Sequence, residues 1–265
     1  MKTLSDRLVQ LRANAPLVQC ITNYVAMNIA ANVLLAAGAS PAMLHAEEEA
    51  GEFAGIAGAL TVNIGTLSPP WVAGIKAAID GARSANKPWV LDPVAHFATA
   101  YRHQVALDLI AMTPAVIRGN ASEILALAGS QSSGQGVDSG DPVEQAEAAA
   151  RKIARACGSV VAVTGPVDFV TDGTRSVRIF GGSAFMPRVT ALGCSLTALI
   201  GAFIADSVDE AFEATVAALA TFAAAGELAE RGVAGPASFE VRLVDTLYHL
   251  DPASLESGGR VVTVG

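Results

Sequence analysis

Five short and almost wholly apolar runs, at residues 17–22, 60–64, 89–91, 115–117 and 160–163, are separated by longer stretches with helical spacing. Runs of that length without polar alternation suit strands buried on both faces, as in a parallel sheet. Parallel neighbours need a crossover, and a helix between each pair supplies it. The alternation therefore predicts an α/β fold with one mainly parallel central sheet flanked by helices. No low-complexity run, charge block or proline-rich linker divides the 265 residues, so a single domain over 1–265 is expected.

Between these runs the pattern predicts helices at 4–11, from Asn23 to Gly38, over the Glu47, Glu48 and Glu49 stretch, and at 69–85, 105–112, 122–128 and 142–156. A short strand is expected at 41–45. A hairpin over 167–172 and 176–180 turns through Gly173, and the glycine- and serine-rich stretch 129–140 reads as a loop. Two long helices start at Cys194 and at Val208, and a closing helix spans 241–248.

Composition narrows what such a fold can do. Hydrophobic residues at 52% against charged residues at 16% suit a large core, and the scarcity of aromatics (5%) calls for close helix-on-sheet packing. A net charge of −8 argues against a nucleic-acid surface, which needs clustered Lys and Arg. A small anion is still accessible to backbone amides. The three cysteines, Cys20, Cys157 and Cys194, have no paired or metal-ligand spacing, so a reduced, soluble, cytoplasmic chain without membrane association is expected.

In open parallel sheets, ligands gather at the carboxyl ends of the strands. Asn23, Gly65, Asp92, Arg118-Gly119-Asn120 and Thr164-Gly165 all follow apolar runs directly, so one rim collects them. Asp92 can hold a hydrated Mg²⁺, or it can close a turn before Pro93. Asn120 and Glu123 can serve a metal or form a capping box, whereas Arg118 has no part in capping and suits phosphate oxygens. Thr164-Gly165, with Asp168 beyond, can meet a nucleotide phosphate or simply enter the hairpin. Gly193-Cys194-Ser195 opens a helix whose unpaired amides and dipole can receive a phosphoryl group, and a thiol there is expected to have a lowered pKa. Packing of Cys194 as a small hydrophobe is the alternative. A Walker-type phosphate loop is absent.

Several stretches together carry a resemblance: PLVQCITN at 16–23, GASPAM at 38–43, NIGTL at 63–67, LDPV at 91–94, IRGNASEI at 117–124, VTG at 163–165, Gly193-Cys194, and GPASF at 235–239. In order and spacing they resemble the hydroxyethylthiazole kinase family. The resemblance implies a three-layer, ribokinase-like kinase fold. It also implies Mg²⁺-dependent transfer from ATP to the hydroxyl of 4-methyl-5-(2-hydroxyethyl)thiazole in thiamine salvage. By the same resemblance Asn23, Met43, Ala191 and Gly193 contact the substrate, and Arg118, Thr164 and Asn120 contact ATP. Asp92 and Glu123 serve the metal, and Cys194 is the catalytic base. A homotrimer with the pocket at a subunit boundary is implied too. Ala191 stands where members often have glycine, which costs about 1 kcal/mol if that position needs positive φ.

Four other readings stay open on sequence alone. They are a kinase for a pyrimidine alcohol, a dehydratase repairing hydrated nicotinamide nucleotides, a non-catalytic thiazole or nucleotide binder, and a cysteine hydrolase or acyltransferase. The last needs a histidine near Cys194, and only His45 and His96 are rim candidates.

Overall fold

The computed structural model describes residues 2–129, 143–205, 208–256 and 259–264. Six strands, β1 (Leu17–Ile21), β2 (Ser40–Ala42), β3 (Ala59–Asn63), β4 (Trp89–Asp92), β5 (Val116–Asn120) and β6 (Val160–Thr164), form its parallel part in the order β2-β1-β3-β4-β5-β6. An antiparallel edge of β7 (Asp168–Thr171), β8 (Ser176–Ile179) and β9 (Val261–Thr263) extends it to nine strands.

Helices cover both faces because successive strand residues point to opposite sides. Val18, Cys20, Val90, Val116 and Ala162 pack on α1 (Leu4–Asn14), α2 (Met27–Ala37), α8 (Leu192–Ile204), α9 (Ala211–Ala229) and α10 (Pro236–His249). Ile21, Leu60, Val62, Trp89 and Leu91 face α3 (Glu47–Ile56), α4 (Pro69–Ser84) and α5 (Ala100–Ile110). Ile117, Val161 and Val163 face α6 (Ala121–Leu127) and α7 (Val143–Cys157). The result is the expected three-layer α/β architecture. Gly201 seats α8 directly on β3, because a Cβ there would come within 2.3 Å of Thr61 Cγ2.

Several elements differ from their expected extents. Asn23 does not open α2. Its side chain accepts hydrogen bonds from the Val25 and Ala26 amides at 3.1 and 3.0 Å, and a turn over 24–26 precedes the helix. The short strand runs 40–42 rather than 41–45, leaving His45 outside it. Arg118, Gly119 and Asn120 lie inside β5 rather than after it. Helix α8 starts at Leu192, so Cys194 sits in its first turn. The closing helix begins earlier, at Pro236, and β9 was not expected; the loop expected at 129–140 lies, from residue 130 on, outside the described residues. Helix α9 is long and apolar enough to cross a membrane, yet 78% of its apolar window is buried, as befits a core helix.

Candidate active site

The parallel strands deliver their last residues to one rim, and Asp92 is its hub. The carboxylate is fully buried at the end of β4. Its Oδ2 accepts from Asn63 Nδ2 at 2.7 Å and from Thr197 Oγ1 at 2.8 Å, and Arg118 Nη1 lies 3.6 Å away. Burial pushes the Asp92 pKa up, while the Arg118 charge, then Thr197 and Asn63, pull it down. Oδ1 is buried without a hydrogen-bond partner among the described residues, an orphaned oxygen at the rim.

Arg118 bridges two strand ends. Its Nη2 donates to Thr164 Oγ1 at 2.5 Å while Nη1 reaches Asp92. The guanidinium lies against Gly193 in the first turn of α8, where a Cβ would stand 2.7 and 2.8 Å from the two Nη atoms. Glycine there lets a cation and the open amides of a helix start share one space, an arrangement suited to phosphate.

Cys194 is half-buried beside this group. Its Sγ accepts from Asn23 Nδ2 at 3.3 Å, and the same nitrogen donates to Asn63 Oδ1 at 2.9 Å. One hydrogen-bonded chain thus links the thiol, two amides and Asp92. The expected lowering of the thiol pKa is corrected by the structure. Burial first, and the Asp92 charge second, push it up to about 11, against the opposing Arg118 charge and the two amides. The partner found for the sulfur is Asn23 rather than a histidine; His45 stacks on Trp71 with centroids 3.8 Å apart, and His96 Nε2 lies 3.0 Å from the Glu123 carbonyl.

Asn120 and Glu123 do form the capping box. The Asn120 side chain accepts from Glu123 N at 2.9 Å, and Glu123 Oε2 accepts from Asn120 N at 2.8 Å. Glu123 Oε1 also accepts from Ala95 N at 2.9 Å. Burial and then Asp92 raise the Glu123 pKa to about 7. Asp168 closes the turn after β6 by accepting from Gly165 N at 3.0 Å. Met43 directly follows β2 and packs, half-buried, on the cluster beneath α2 and α8, outside the hydrogen-bonded chain. Ala191 has φ +61°, so it does occupy the left-handed region.

Two residues at the heart of the site were not singled out from sequence. Asn63 is the β3 register partner of Asp92, and Thr197 stands one turn beyond Cys194. A polar residue closing the apolar run 60–64 was the available signal for Asn63; Thr197 gave none, since helical Thr is common. A separate cleft of about 340 Å³, lined in part by Arg83, Lys87, Trp89, Thr113 and Cys157, lies at the opposite, amino ends of β4 and β5 and contains none of these groups.

Fold and rim define a ribokinase-like small-molecule kinase. A ribokinase-like superfamily protein from Enterococcus faecalis matches with a TM-score of 0.64 over 92% of this chain and 94% of that one, at 13% identity, a likeness of fold alone. Nearer in sequence, a hydroxyethylthiazole kinase protein from Pyrococcus horikoshii OT3 matches with a TM-score of 0.91 at 39% identity over 100% of both chains. A hydroxyethylthiazole kinase from Rhizobium etli is 67% identical over 95% of this chain and 97% of its own. The profile of the Hydroxyethylthiazole kinase family matches residues 8–253. The chain belongs to that family, whose members are phosphotransferases with an alcohol group as acceptor. Membership sets aside the dehydratase and cysteine-hydrolase readings.

Proposed function

We propose that the rim around Asp92 transfers the γ-phosphoryl group of ATP to the hydroxyl of 4-methyl-5-(2-hydroxyethyl)thiazole, a salvage step towards thiamine. The observation that carries this reading is Arg118, paired with buried Asp92 and lying on Gly193 at the mouth of α8. Phosphoryl transfer is loose, so catalysis is mostly positioning and charge neutralisation, and these groups supply both. Arg118, Thr164 and Asn120 face the nucleotide phosphates. Asn23, Met43 and the loop through Ala191 and Gly193 hold the alcohol.

Cys194 takes the alcohol proton as the new O–P bond forms and the bond to the ADP oxygen breaks. The Asn23 amide orients the sulfur for this. With its pKa raised, only a small thiolate fraction exists at neutral pH, so turnover on this reading rises with pH. The hard oxygens of Asp92 and Glu123 fit Mg²⁺, and the unpartnered Asp92 Oδ1 is the atom best placed to meet it, directly or through water. Glu123, whose two oxygens already accept backbone amides, fits through water. When bound, Mg²⁺ offsets negative charge on the phosphate oxygens.

The substrate side borders Tyr24 and Val25, which are 68% and 59% exposed beside Asn23. Apolar side chains so open next to a pocket support self-association at this face; the homotrimer that the family resemblance implies is one such assembly, and light scattering of the purified protein reads its size directly. The reading places the enzyme in the cytoplasm, where its thiols stay reduced.

The test is ADP release from Mg-ATP with the thiazole alcohol, a pyrimidine alcohol and ribose. The thiazole alcohol should give the highest kcat/KM. Preference for the pyrimidine would reassign the substrate, and no ADP with any alcohol would overturn the reading.

A further inference from the structure

Arg102 lies in the first turn of α5 and touches none of the groups assigned to substrate or nucleotide. Its Nη1 donates to the carbonyls of Ile64 at 2.8 Å and Val94 at 2.9 Å, and its Nη2 donates to the carbonyl of Gly65. One planar cation thus grips both loops that leave the site, the one after β3 and the one after β4. A trans peptide points its C=O and the following N–H in opposite directions. The Ile64 carbonyl therefore shares a plane with the Gly65 amide, which donates to Asn63 Oδ1 at 2.9 Å. The Val94 carbonyl shares a plane with the Ala95 amide, which donates to Glu123 Oε1 at 2.9 Å.

We infer that Arg102 is a positioning residue for phosphoryl transfer: by holding two loop peptides through their carbonyls, it aims their N–H groups at Asn63 and Glu123. Asn63 in turn orients Asp92 and, through Asn23, the Cys194 sulfur. Ala95 supports the same reading, because it has φ +48°, a conformation that persists only where surrounding bonds fix it. Arg102 on one side of its peptide and Glu123 on the other are those bonds. Lysine cannot replace the guanidinium, since a single ammonium does not span carbonyls on two loops as a rigid fork does.

The inference rests on the proposed reaction, so the experiment scores the two separately. Steady-state kinetics with Mg-ATP and the thiazole alcohol are run on the parent, Arg102→Ala and Arg102→Lys, with and without millimolar guanidinium or ammonium chloride, alongside thermal melting. The expected result is a kcat lowered by about 10- to 100-fold in both variants, the size typical of lost supporting bonds around a site. KM for both substrates should stay within about threefold on that account, because the binding groups remain. Guanidinium, and not ammonium, should restore part of the Arg102→Ala loss. An active parent with either folded variant within about threefold of its kcat overturns the positioning role, as does a change confined to KM. A loss that guanidinium leaves untouched overturns it too. Should Arg102→Ala not fold, Arg102→Lys, which keeps the charge, carries the comparison. An inactive parent overturns the proposed reaction instead.

Discussion

Asn63 and Asp92 are register partners on adjacent parallel strands, and the Asn63 amide donates to the Asp92 carboxylate at 2.7 Å. The same side chain accepts from Asn23 and from the Gly65 amide, so it joins the thiol half of the site to the carboxylate half. Asn63→Ala should lower kcat by about tenfold, since Asp92 keeps Thr197 and Arg118. Asn63→Asp should cost more, about a hundredfold, because a second buried carboxylate beside Asp92 forces one of the two to hold a proton. Equal kinetics for the two variants would remove this account of the pair.

Gly193→Ala separates function from stability. The added Cβ would meet the ends of the Arg118 guanidinium at 2.7 and 2.8 Å, and a flexible side chain can move away. Alanine also favours the helix, so the change in unfolding free energy should stay below about 1 kcal/mol. The displaced guanidinium leaves Asp92 and Thr164, and kcat/KM should fall by about 10- to 100-fold. Denaturant unfolding and kinetics on the same sample check both; a large loss of stability would show that the guanidinium cannot yield.

The sequence specifies the backbone more legibly than it specifies the side-chain contacts. The five apolar runs give all but β2 of the parallel sheet, because burial on both faces leaves no choice of register face. Asp92, Arg118, Thr164 and Cys194 were legible as strand-end or helix-start residues that converge on one rim. Asn23 was legible as a site residue but not as a turn former, since capping a helix and closing a turn ask the same of an asparagine side chain. The direction of the Cys194 shift was not legible. A helix start lowers a thiol pKa, but the neighbouring Asp92 and the burial that reverse this lie about a hundred residues away in sequence or arise only from packing. Thr197 and Arg102 were invisible for a related reason, as nothing local distinguishes a helical Thr or Arg that reaches another loop. β9 was missed because three residues near the chain end carry no period.

Ala191 offers a test of strain. At φ +61° its Cβ is crowded by its own backbone, at about 1 kcal/mol, and glycine would relieve this while adding freedom to the unfolded chain. Ala191→Gly should therefore be neutral to stabilising, by up to about 1 kcal/mol in denaturant unfolding. It should leave kcat/KM within about twofold, since the backbone already has the shape glycine would give. Destabilisation beyond about 1 kcal/mol would mean that the Ala191 methyl packs usefully.

Cys194 has the most direct readout, because its assigned role depends on its charge state. The group must be deprotonated to receive a proton, and its pKa is pushed up to about 11 by burial and by Asp92. The thiolate fraction therefore grows as pH rises towards that value, and kcat should climb from neutral pH to about pH 9 rather than level off near the usual thiol range. Cys194→Ser should lose on the order of 10²- to 10⁴-fold in kcat with the alcohol still bound. Cys194→Asp supplies a base that is ionised at neutral pH, so it should retain substantial activity and flatten the rise with pH. The measurement is kcat against pH for the three proteins and for Cys194→Ala. An alanine variant as fast as the parent, or a parent profile flat across this range, would show that Cys194 is not the base.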